Sequence, residues 1–200
     1  WDEDGRLDTE TTGISIRLRG NITLNVDKKS YRIKFPQKEN PLGLGDGAAK
    51  SWNLVANYYD GSLLRNMAAY RMGELMDHMP YTANCRSVEL YVNGEYRGVY
   101  LLVEAVNVAK SRVAITEKPE LIEDNGYLLE LSRYAEENAF TIDFFKFEVK
   151  SDVSEDIETR KQQIAYISGY TKEALYALKS GDREAIEQYI DVPSLVDNCI

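Results

Sequence analysis

NVDKKSYRIKFP, residues 25–36, gathers Lys28, Lys29, Arg32 and Lys34 into one short run, with Asp27 as the nearby anion and Pro36 as its stop. Cations at that density can hold phosphate oxygens through charge-assisted hydrogen bonds. They can also be a solvated strand edge, where lysines block strand addition and balance neighbouring carboxylates. On residue types alone the edge reading is favoured. Two carboxylates are the other candidates. Glu74 lies in a helical pattern from which it could reach a strand lysine, although its spacing alone describes a surface glutamate. Glu104 follows the apolar run VYLLV, so its carboxylate is carried toward a strand end, where sites are often built; a plain strand terminus fits equally well. Arg65-Asn66, in the first turn of the same helical pattern, could meet an anion at the positive helix end, but capping and surface contacts are commoner roles.

Several chemistries are set aside on residue types. Nucleophilic catalysis assisted by an imidazole would have to use His78, the sole histidine, which sits in ELMDHMP and reads as a polar helix cap. Cys85 and Cys199 are too far apart for a zinc knuckle and too few for a disulfide framework, so both read as buried free thiols. The acidic runs YAEEN and SDVSEDIE lack calcium-loop spacing. ENPLGLGDGAAKS is rich in Gly and Pro without phosphate-loop spacing and reads as an ordinary loop.

The chain has 200 residues and a formal net charge of -9. That field repels polyanions and argues against wholesale binding of nucleic acid or an anionic membrane, though it permits local basic patches. No apolar run approaches the ~18 residues of a membrane span. The chain opens on Trp1, and WDEDG is neither a signal nor a transit sequence, which suggests a mature or excised portion.

The elements that must position these residues follow from periodicity. GISIRLR, residues 13–19, alternates with Ile14, Ile16 and Leu18 on one face, the period of a half-buried strand. In the basic run Tyr31, Ile33 and Phe35 point one way while Lys28, Ser30, Arg32 and Lys34 point the other; Lys29 falls on the apolar side. WNLVANYY (52–59) is a third strand. A helix capped by Asp60 or Ser62 follows and runs toward Pro80. CRSVELYVNGEYRGVYLLVE is a hairpin through Asn93-Gly94, the dipeptide suited to a tight two-residue turn. Further strands are expected over 126–132 and 145–150. A helix is expected over about 155–179, a second from Arg183 to Tyr189 after Gly181-Asp182, and a third capped by Asp191. Strands first and helices last give an α+β fold: a strand-rich part over 1–150 and a helical part over 151–200.

LRGNITLNVDKKSYRIKF, WNLVANYYDGSLLRNMAAYRMGEL, SVELYVNGEYRGVYLLVEAV and NGYLLEL stand in the order found in the spore-coat protein H (CotH) family, which the chain resembles from about residue 13 onward. The resemblance implies an atypical protein kinase of the extracellular space or the cell or spore surface. It implies a small strand-rich lobe and a helical large lobe holding ATP with Mg or Mn between them, and a protein substrate or surface protein as partner. Lys29 or Lys34 would then face the nucleotide phosphates with Glu74 as a possible partner, the segment 102–106, with Glu104 in it, would be the inter-lobe hinge whose backbone groups could hold an adenine ring, and the basic strand and the Asn-Gly ribbon would form one half of the cleft.

The chain departs from the family pattern in two places. Ile22-Thr23-Leu24 follow Asn21 where the family commonly carries an aromatic. By the resemblance, the family's catalytic and metal-binding aspartates lie beyond the helix that begins near Val192, in an Asn-x-Asp segment and a later Trp-Asp stretch, and neither follows that helix within the 200 residues. The 200 residues are therefore expected to be an N-terminal piece, inactive alone, binding no cofactor alone, with a truncated large lobe whose apolar surface could be covered by a dimer partner. A non-catalytic surface scaffold or adhesion module is the alternative. Carbohydrate attachment, suggested by 14 tyrosines and two tryptophans, is weaker, because such aromatics are more often packing.

Overall fold

Alternating side chains in the first half build a five-stranded antiparallel sheet. The computed structural model describes Asp4 and residues 10–199, and divides the chain into two compact units, Trp1–Val106 and Asn107–Ile200. In the first unit β1 (Ser15–Arg19), β2 (Ser30–Glu39), β3 (Ala49–Val55), β4 (Cys85–Val92) and β5 (Glu95–Glu104) lie in the order β1-β2-β3-β5-β4. A single helix, α1 (Arg65–Glu74), connects β3 to β4. The Asn93-Gly94 turn closes the β4–β5 hairpin with both residues at positive φ, 54° and 81°, the conformation that makes this dipeptide favoured there.

Strand registers sort the side chains onto two faces. Ile33 pairs with Trp52, which pairs with Glu104, and Tyr31, Leu54 and Leu102 line up in the next such row. This face carries a core of Phe35, Trp52, Leu54, Tyr100 and Leu102, closed by Leu42 and Leu44 from the loop between β2 and β3. That loop, NPLGLGDG, therefore acts as a packed cover. Trp52 is fully buried, and its indole N–H donates to the carbonyls of Glu39 (3.2 Å) and Ala49 (3.1 Å). The opposite face holds a second cluster, Ala83, Cys85, Leu101 and Val103, packed against Met67 and Tyr70 of α1.

The second unit contains β6 (Leu129–Leu131), β7 (Ala139–Ile142) and β8 (Phe145–Val149) in the order β6-β8-β7, then α2 (Ile157–Ser180), α3 (Arg183–Glu187) and α4 (Val192–Cys199). Phe140 stacks on Phe147 across β7 and β8, with ring centroids 5.4 Å apart. Lys179 of α2 bonds Asp143 in the β7–β8 turn at 2.6 Å. Gln163, fully buried on α2, accepts from the Ser154 N–H and donates to the carbonyls of Pro119 and Leu121, pinning two loops to the helix.

The unit boundary differs from the sequence expectation. Residues 107–150 join the helices, because β7 packs on α2, whereas the sequence suggested a division near 150. Other expectations also shift. All five residues of β1 are exposed, since an edge strand here keeps its apolar face uncovered. The third strand runs 49–55, and residues 57–60 form a turn. α1 stops at Glu74, well short of Pro80. Strand β7 was not anticipated. Cys85 is buried, but Cys199 is exposed.

Candidate anion-binding site

β2 starts at Ser30 and places Ser30, Arg32 and Lys34 on the α1-bearing face of the sheet, as alternation requires. Cross-strand pairing extends this face in both directions: Lys34 lies opposite Ser15 of β1 and Ser51 of β3, and Arg32 lies opposite Arg17 and Asn53. α1 packs over the β4–β5 side. On the β1–β3 side the face holds a hollow of about 280 Å³, lined by Ser15, Arg17, Arg32, Lys34 and Ser51.

Among the described residues five side chains line it, of which three are cationic. Among the described residues, Arg17 and Lys34 make no side-chain hydrogen bond or ion pair. Asn53, on the same face and only 8% exposed, keeps its Oδ1 without a hydrogen-bond partner among the described residues. The two serine hydroxyls add neutral donors. The three cations and the two hydroxyls can neutralise and hydrogen-bond a polyanion such as a phosphate chain.

The four residues singled out from the sequence are not gathered at this hollow. Lys34 lines it. Lys29 precedes β2 and donates its ammonium to the Leu24 carbonyl at 2.6 Å, bracing the β1–β2 connection. Glu74 is engaged by Arg71 of its own helix at 2.6 Å, an i,i+3 pair. Glu104 is 1% exposed and sits in the Trp52 row, on the face opposite Lys34. Its Oε2 accepts from the Asn84 N–H (2.9 Å), the Asn84 amide (3.1 Å) and the Tyr81 hydroxyl (3.3 Å). That carboxylate staples the approach to β4 onto the end of β5. The ribbon is also apart from the hollow: Ser51 precedes Trp52, the partner of Glu104, so the hollow lies level with the end of β5 opposite to the Asn93-Gly94 tip.

Lys28, which the alternation pattern had put with the strand cations, lies before the strand. Its ammonium donates to the carbonyls of Ala56 (3.1 Å) and Val99 and stands 4.5 Å from the centroid of the Tyr100 ring. Burial holds its pKa below the usual lysine value. It locks the β1–β2 connection onto β3 and β5.

Sequence reasoning passed over Arg17 as a site residue. The signal was present in the alternation of SIRLR, but its meaning depends on the β1–β2 register that sets Arg17 against Arg32. The third strand has no cation on this face, presenting Ser51, Asn53 and Val55; the charge comes from the two strands beside it.

No helix is long and apolar enough to cross a membrane among the described residues. The family model for CotH kinase protein matches residues 16–200. Among curated proteins none matches the chain. The α+β architecture, a strand-rich sheet unit followed by helices, is consistent with a kinase-like fold.

Proposed function

The chain belongs to the CotH kinase protein family, and from that premise we propose that its β1–β3 face binds the phosphates of ATP. The observation that carries this reading is the hollow on which Arg17, Arg32 and Lys34 converge. In protein kinases a strand lysine pairs with the nucleotide phosphates, and catalysis is chiefly positioning and charge stabilisation. Here Lys34 takes the role of phosphate-facing cation, with Arg17 and Arg32 as forked donors on either side. Glu104 acts on the other face as an architectural carboxylate that fixes the end of β5.

The cations of the hollow fit the phosphates of a nucleotide. Among the described residues no group of three or more His, Cys, Asp or Glu side chains is placed to hold a metal. The proposed activity is phosphoryl transfer from ATP to protein Ser or Thr at the cell or spore surface, by a protein that contains this chain together with metal-holding carboxylates. Incubating such a protein with labelled ATP and Mn or Mg tests the reading. Incorporation into protein that is lost on Lys34→Ala supports it. Absence of incorporation favours the scaffold or adhesion alternative, and incorporation indifferent to Lys34→Ala removes the phosphate role given to this hollow.

A further inference from the structure

The outer edge of the sheet is chemically two-sided. β1 pairs with β2 through all five of its residues and has no second strand neighbour among the described residues. Ile16 and Leu18 are 54% and 53% exposed on one face, while Ser15, Arg17 and Arg19 occupy the other. The edge contains no proline or bulge, and its two charges, Arg17 and Arg19, both lie on one face, leaving Ile16 and Leu18 unguarded on the other.

We propose that β1 docks an extended peptide whose acidic and aliphatic residues alternate, added as a sixth strand. An incoming strand repeats the pleat, so its alternate side chains meet the two faces in turn. Those on the Ile16–Leu18 side must be aliphatic to cover exposed apolar surface. Those on the other side lie beside Arg17 and Arg19 and are favoured when acidic. Charge selects this occupant over a second copy of the chain. Antiparallel self-pairing centred on Arg17 would set arginine against arginine, a destabilising cross-strand pair. Five residues of β1 offer roughly 17 Å of edge at about 3.4 Å per residue, enough for one short segment.

Fluorescence polarisation of the full chain with a labelled EIEVEIE peptide tests the proposal. A same-composition peptide with acidic and aliphatic residues in separate blocks, and a KIKVKIK peptide, serve as competitors. Saturable binding is expected, weakened at least roughly tenfold by Leu18→Glu, about 1.4 kcal/mol; Arg19→Ser is expected to weaken it as well. Ile16→Glu gives a second apolar-face variant, with folding of each checked by circular dichroism. Both apolar-face positions lie opposite the basic hollow, so peptide held only by that hollow would leave affinity unchanged in Leu18→Glu and Ile16→Glu and overturn the proposal. Equal binding of the block-ordered peptide, or dimerisation of the chain abolished by Leu18→Glu, would overturn it too.

Discussion

Glu104 and Lys34 show how two charged residues with equal claims on the sequence acquire different roles from their register. Lys34 falls on the open side of the sheet, while Glu104 is buried on the other side and receives three donors on one oxygen. Replacing Glu104 by Gln keeps the shape but removes the ionic acceptor of this network. A loss of about 1.5–3 kcal/mol is expected in urea unfolding, the range for hydrogen bonds to charged groups. Gly45 gives a complementary test, because its φ is +75° and an added Cβ would lie 2.7 Å from Glu104 Oε1. Gly45→Ala is therefore expected to lower the thermal midpoint, whereas Gly43→Ala, with open space at its Cβ and a φ of +57°, carries backbone strain alone and should lower it less. The sequence offered alternation, which correctly put Arg32 and Lys34 together. It could not tell that Arg17 joins them, that Lys28 turns inward, or that Glu104 faces away, since each depends on pairing between strands far apart in the chain.

At the scale of elements, α1 is positioned by close backbone approach and by an electrostatic cap. Gly73 is its one buried residue, and a Cβ there would stand 2.7 Å from the Thr82 hydroxyl and 2.9 Å from its methyl. Gly73→Ala should cost about 1–3 kcal/mol through overpacking, measured by denaturant unfolding, despite alanine's better helix propensity. Asp60 bonds the Ser62 hydroxyl (2.6 Å) and the Arg65 N–H (2.8 Å), and these bonds hold its pKa below the usual carboxylate value. Asp156 caps α2 through the Thr159 N–H and hydroxyl, both at 2.8 Å, with the same direction of shift. A depressed folded-state pKa means that the unfolded chain takes up protons first. The stability these caps contribute is thus complete above the ordinary carboxylate pKa of about 4 and is lost as pH falls through the folded values. Thermal midpoints followed from pH 5 downward should fall less steeply in the Asp60→Asn, Asp156→Asn double variant than in the parent. Identical slopes would contradict the role of the caps. The contact of Asp60 with the start of α1 and the Asn-Gly hairpin were legible because their signals are local, whereas Asp156 was not singled out as the cap of α2. Strand β7 escaped because its two-residue turn is Asp143-Phe144, with Asp143 at a φ of 53° and no glycine to announce it.

The chain combines a net charge of -9 with a local concentration of positive charge at the hollow. The net charge of -9 would repel a nucleotide at long range, so binding depends on the short-range convergence of three cations across β1 and β2 and weakens as salt screens them. The segregation of strands from helices was readable in the periodicities and in the family motifs. The unit boundary at Val106 was not, because the stretch after it looks like more of the same strand-rich chain until β7 is seen against α2. The hollow leads us to propose phosphate binding by the chain itself, where the sequence suggested none, and calorimetric titration of the chain with ATP in the absence of metal tests that claim most directly. Binding should weaken by about 1.5–3 kcal/mol, roughly ten- to hundredfold, in each of Arg17→Ala and Lys34→Ala. An affinity unchanged by both substitutions, or no binding by the unaltered chain, would contradict the account.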